Sequence, residues 1–300
     1  DDYQKYFIYP IKMLETGSVF GSKLGAIGQE TLGGQAFFQS FFVSWLGIKS
    51  INIFDSVFCV IVSTILIIEY AVKNKVILFG ALVLSLFILI HPQYVNTSSL
   101  YSAILFMMSS LILSSFLFNE NEKIDHFNFK NILTISLLFS SLVVLKSSYA
   151  IFPIIFFFIF SIFFILLKNS NKYKFLIIIL IPVFSLFFFL PWASILIDFY
   201  TSNLVTSNEP MKINLPWVKP SFSDIFSTTS LFYGGTYLNY SSTLIISLLL
   251  ILIIIFNSIF KKKFIIEKKI IYLSLSSIFS GFIIAAIIIF FGSKLAHFTS

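Results

Sequence analysis

The chain has 300 residues, 58% of them hydrophobic and 11% charged, with a mean hydropathy of +0.97. Soluble domains carry about 25% charged residues, so this composition excludes an ordinary water-soluble domain and predicts helices whose outer faces meet a bilayer. The net charge of +7 comes from 20 basic residues, all of them Lys; they lie in short clusters between apolar runs rather than on one soluble face, which argues against nucleic acid as a partner.

The opening stretch, DDYQKYFIYPIKMLETG, is polar and aromatic and carries two adjacent carboxylates, Asp1 and Asp2. Side-by-side carboxylates repel, which raises the pKa of one of them where water is scarce. A carboxylate at an amphiphilic boundary, with Lys5 and Lys12 nearby, can be kept ionised and serve as a general base. A solvated pair of loop carboxylates is the simpler alternative. The chain begins on Asp rather than Met, and a segment upstream of it is expected.

Residues 33–48, GGQAFFQSFFVSWLGI, are apolar but short. They read as an interfacial or re-entrant helix on the outer side, begun by Gly33 and Gly34 and holding Trp45 at headgroup level. A span needs roughly 20 apolar residues, and eight are expected, near 52–72, 76–92, 97–118, 131–147, 150–167, 175–197, 242–260 and 270–291. Lys73 and Lys75, Lys123 and Lys130, Lys168, Lys172 and Lys174, and Lys261–Lys263 with Lys268 and Lys269 then all fall on one side, the cytoplasmic one. A membrane crossing by residues 33–48 would invert that bias.

The other side receives residues 1–50, the short loops at 91–97 and 146–149, the long loop 198–241 and the tail from 292. The long loop holds Pro210, Pro216, Pro220 and Trp217, a composition suited to a lid or binding loop. Asn96 and Asn239 match the glycan acceptor pattern, which is short and carries little weight. The single cysteine, Cys59, lies in an apolar run and allows no disulfide framework within the chain.

Ionisable residues avoid the middle of the expected spans. Asp55 stands near an outer end and Glu69 near an inner end, while His91, Lys146 and Lys294 stand near the outer boundary. A transporter would place such groups at mid-membrane; this pattern favours a site at the outer surface. Boundary anchoring is the plain alternative for each. With no Arg in the chain, a bound phosphate must be held by Lys, His, Tyr or backbone N–H groups.

The stretch from Asp2 to Gly17 resembles the first outer loop of GT-C glycosyltransferases, in the group of protein O-mannosyltransferases and the aminoarabinose transferases of lipid A. Asp2 falls at the acidic position, Lys5 at the basic one and Tyr6 at the Tyr, and Met13-Leu14-Glu15-Thr16-Gly17 matches the end of the helix that follows. Residues 33–50 and 52–72 are similar to the interfacial helix and inward span that come next. Gly33-Gly34-Gln35 stands where the family carries a basic-Pro-Pro element.

The resemblance implies an all-α polytopic transmembrane helical bundle with outer-side interfacial helices. It would be divided into an outer segment 1–50, transmembrane helices 51–197, an outer loop 198–241, and transmembrane helices with an outer tail 242–300. It implies a multi-pass protein of a bacterial inner membrane, active on the outer side. The donor would be a sugar on a polyprenyl phosphate and the acceptor a lipid, glycan or protein hydroxyl. Asp2, beside Asp1, would act as general base in one inverting displacement. Lys5, Lys294 and His297, in that order, are candidates to meet the leaving phosphate, and Tyr6, Gln35 and His91 complete the expected substrate-binding set. No metal ligand is assigned, although a divalent metal would be compatible with the family. A transporter or lipid flippase is the alternative function, and a non-catalytic assembly or glycan-polymerising partner a third.

Overall fold

A computed structural model describes residues 2–17, 33–72, 99–117, 129–167 and 172–204, and near the C-terminus residues 272, 273, 275–281 and 283. Among these the protein is all-α, without strands. Helix α1 spans Asp2–Thr16 and α2 spans Gly34–Leu46. A 3-10 turn, Ile48–Ser50, and a π-helical segment, Ile53–Cys59, lead into α3, Val60–Val72. Helices α4, Leu100–Leu117, and α5, Phe129–Leu145, follow. A second 3-10 turn, Ser147–Ala150, joins α5 to α6, Ile151–Leu167, and α7 runs over Lys172–Leu204.

Two boundaries differ from the sequence reading. The opening segment is helical from Asp2 rather than a polar loop that becomes helical later. No Gly interrupts residues 2–16, and Tyr6, Tyr9 and Met13 recur at the spacing that lines one helix face. The helix stops at Gly17, whose φ is +71° and whose N–H bonds the Met13 carbonyl at 3.0 Å. At the other boundary, α7 continues through Leu204, so the first residues of the expected loop 198–241 are helical. The remainder of that loop, the spans expected at 76–92 and 242–260 and the tail from 292 lie outside the described residues.

The main core is formed by α4, α5, α6 and α7. Phe152, Phe156, Phe160 and Phe164 stand one turn apart on α6, with successive ring centroids 5.6, 5.8 and 5.6 Å apart and near-parallel planes. They pack among Ile132, Ile135, Phe139 and Leu142 of α5 and Ile177 and Ile181 of α7. Hydroxyls stitch α5 to α7: Ser136 Oγ lies 2.8 Å from the Ile132 carbonyl and 3.1 Å from that of Ile181, and Ser140 Oγ lies 3.0 Å from the Ser136 carbonyl and 2.6 Å from that of Ser185. Each hydroxyl shares one proton between its own helix and the neighbour.

Beside this apolar core, small polar side chains are enclosed while many large apolar ones face outward. On α2, Gln35, Gln39 and Ser40 are buried, Gln39 to 1% exposure, while Phe37, Phe41 and Trp45 point outward, Trp45 at 78%. Across the chain Ser63, Ser102, Ser110 and Ser136 are fully enclosed, whereas Ile154, Phe158, Leu166, Phe175 and Leu186 are exposed. Phe175–Ser194 within α7 is one helix long and apolar enough to cross a membrane, and only 6% of its most apolar stretch is buried. Tyr101–Leu117, Phe129–Leu145 and Ile151–Leu166 are shorter apolar helices.

Candidate functional site

Helix α1, on which the Asp2, Lys5 and Tyr6 positions lie, meets the rest of the described residues through α2. Tyr9 of α1 and Ala36 of α2 are buried against each other, with Met13 packed on the pair. On an α-helix positions 2, 5, 6, 9, 12 and 13 share one side. Asp2, Lys5 and Tyr6 therefore occupy positions on the face of α1 that turns Tyr9 and Met13 toward α2. Pro10 sits inside this helix; lacking an N–H, it gives the Tyr6 carbonyl no intrahelical donor.

Helix α2 reaches the bundle through a glycine. A Cβ on Gly34 would stand 2.8 Å from Val144 Cγ1 and 3.0 Å from the Val144 carbonyl carbon and oxygen. Only a residue without a side chain lets α2 lie this close to the α5 backbone. One residue on, Gln35 is 2% exposed, and its Oε1 accepts from the Ser102 hydroxyl at 3.3 Å.

Ser102 leads to the best-connected buried charge among the described residues. Asp55, 1% exposed, stands in the π-helical segment and caps the first turn of α4. Its Oδ2 accepts from the Tyr101 N–H at 3.1 Å, and its Oδ1 accepts from the Ser102 N–H at 2.8 Å and the Ser102 hydroxyl at 2.8 Å. These are the orphan donors of a helix N-terminus, and a carboxylate there also meets the positive end of the helix dipole. The π-helical segment packs on α2 through rings: Phe38 and Phe54 stack with centroids 4.5 Å apart. Beside the same turn, the Tyr149 hydroxyl donates to the Ser99 carbonyl at 3.2 Å. Burial pushes the Tyr149 phenol above its ordinary pKa, so it remains a neutral donor near neutral pH.

Sequence reasoning places Asp55 at an outer span end as a boundary residue. The structure makes it the buried anchor of α4. A carboxylate near the start of an apolar run would signal this only if its partner, 46 residues further along the chain, were known. Lys12 is also buried, to 6% exposure.

Of the expected site residues, Gln35 is placed where α2 meets the start of α4. Asp2, Lys5 and Tyr6 lie on α1, with the side chains before Phe7 outside the described residues. Asp1, His91, Lys294 and His297 also lie outside them. Among the described residues no group of three or more His, Cys, Asp or Glu could hold a metal ion. Compared with protein-family models, curated proteins and solved structures, the chain matches none.

Proposed function

We propose that this protein is a multi-pass membrane glycosyltransferase that moves a sugar from a polyprenyl phosphate to a hydroxyl acceptor on the non-cytoplasmic side. The observation that carries the reading is the inverted helix α2, with amides and a hydroxyl inward and Phe37, Phe41 and Trp45 outward. An aromatic stripe facing outward from a polar-cored helix suits the headgroup region of a bilayer. Helix α1, with the Asp2, Lys5 and Tyr6 positions on its α2-facing side, packs against this helix. The exposed apolar surfaces of α6 and α7 would meet lipid, and a polyprenyl chain would reach the site from within the bilayer.

In the reaction, the acceptor oxygen attacks the anomeric carbon while Asp2 takes the acceptor proton. The bond from that carbon to the phosphate oxygen breaks as the new glycosidic bond forms. The phosphate leaves with the bonding electrons, and the sugar inverts. Lys5, with Lys294 and His297 from the tail, would offset the charge gathering on the phosphate. Asp55 offers little support to the transporter alternative, since its carboxylate is engaged in capping α4.

The test is Asp2→Asn in the purified protein reconstituted into liposomes, supplied with radiolabelled polyprenyl-phosphate hexoses and a crude envelope acceptor fraction. Transfer should fall to background while the unfolding temperature stays that of the parent. Undiminished transfer by the variant would remove Asp2 from the mechanism.

A further inference from the structure

The Lys12 side chain has no role in the mechanism above. Its Nζ is enclosed and meets no hydrogen-bond partner among the described residues, and the centroid of the Tyr9 ring lies 6.0 Å away. A ring at that distance is at the outer limit of a cation–π contact and offers far less than a buried ammonium loses on leaving water. A second feature lies against the same face. Tyr9 and Met13, which flank Lys12 along α1, pack with Ala36 in the first turn of α2. That turn begins at Gly33, in the left-handed conformation with φ 86°, and has no side-chain cap among the described residues. An uncapped helix start carries partial positive charge and favours an anion.

We infer that Lys12 is an anion anchor, its ammonium receiving an oxygen of a phosphate group seated beside the Tyr9 ring, at the edge of the contact between α1 and α2. The chemistry recognised is that of a phosphate mono- or diester, carried by a lipid or free in solution. Only the naming of a lipid source rests on the transferase reading; the anchor itself does not need it. The Lys5 position, seven residues earlier on the same helix side, is about 10 Å away along the axis, so the two positions would address different parts of a bound headgroup. Lys12 acts here as a binding residue, distinct from the Asp2 position where the proton would be taken.

The experiment compares the parent with Lys12→Met and Lys12→Arg, each in detergent micelles, with a short-chain polyprenyl phosphate in one arm and inorganic phosphate in the other. Unfolding temperature is read with and without each probe, and binding of the lipid probe by native mass spectrometry. The parent should be stabilised by the lipid phosphate, and Lys12→Met should bind it at least ~10-fold more weakly, with Lys12→Arg retaining part of the binding. Without any probe, Lys12→Met should be more heat-stable than the parent, because an unpaired buried charge has been replaced by a side chain of similar length. A merely structural lysine would give that rise too, so the loss of phosphate binding in Lys12→Met is the readout that separates the two. Stabilisation by inorganic phosphate alone, lost in Lys12→Met, would still support the anchor and assign it to free phosphate. Equal binding of both probes by parent and Lys12→Met, or no binding of either by the parent, would overturn it. The transferase reading fails separately: Lys12-dependent binding without sugar transfer would leave the anchor standing alone.

Discussion

Removing the Asp55 carboxylate tests whether the first turn of α4 is held as described. In Asp55→Ala the Tyr101 and Ser102 N–H groups lose their acceptor in a site closed to water. The Ser102 hydroxyl can still turn to Gln35 Oε1 at 3.3 Å. Each buried donor left unmade costs about 1–3 kcal/mol, so two of them cost about 4 kcal/mol. At about 2–4 °C per kcal/mol, the scale for domains of 150–250 residues, the unfolding temperature should fall about 8–16 °C. Asp55→Asn keeps one acceptor oxygen and turns an amide toward one of the two N–H groups, so about half that loss is expected. Thermal unfolding in detergent gives the magnitude, and hydrogen exchange resolved to the start of α4 gives the place. Faster exchange should appear at Tyr101 and Ser102 first. An Asp55→Ala protein that unfolds within about 2 °C of the parent, with unchanged exchange there, would refute the reasoning.

Other changes follow from the same geometry. Gly34→Ala should lower the unfolding temperature by the equivalent of about 1–3 kcal/mol, because the new methyl meets the Val144 backbone. Adding Val144→Ala should not restore it, and Gly281→Ala, with nothing within 4 Å of the added carbon, should be neutral or stabilising by up to about 1 kcal/mol. Ser136→Ala with Ser140→Ala removes the hydroxyl links to α7 and should cost about 0.6 kcal/mol for each, read as a lower detergent-unfolding midpoint. Phe156→Ala empties the centre of the ring column on α6 and should cost about 3–5 kcal/mol in the same assay. Tyr149→Phe should be less stable than the parent by about 0.5–1.5 kcal/mol near pH 7. The raised phenol pKa sets the sign of the pH dependence. Above about pH 10 the unfolded chain releases the Tyr149 proton before the folded one does, so the parent loses its advantage with rising pH, and unfolding series at increasing pH should show the gap closing.

The helices were legible where hydrophobic runs are long. The expected spans at 97–118, 131–147 and 150–167 are α4, α5 and α6 within three residues at each end, because runs of this length form helix whichever neighbour they find. The short segment at 33–48 was legible for a different reason: Gly33 and Gly47, both at positive φ, punctuate it at its two ends. The helical start of residues 2–16 was not, since the adjacent carboxylates and the polar, aromatic composition of the stretch read as loop chemistry. What keeps this stretch helical is packing of Tyr9 and Met13 on Ala36, a tertiary contact. The Asp55 cap and the close approach at Gly34 were illegible for the same reason. Each depends on a partner 46 to 110 residues away, and neither Asp55 nor Gly34 differs in its local sequence from a boundary residue or a helix breaker. The face shared by the Asp2, Lys5 and Tyr6 positions was implicit in their spacing once the segment is taken as helix.

The central claim is sugar transfer with inversion at the membrane surface. The direct measurement is the anomeric configuration of the product formed by the protein in proteoliposomes from polyprenyl-phosphate hexoses of known configuration, read by NMR. A product of the opposite configuration, formed only in the presence of the protein, is the predicted result. Retention of configuration, or no transfer from any polyprenyl-phosphate donor by a correctly folded preparation, would contradict the account.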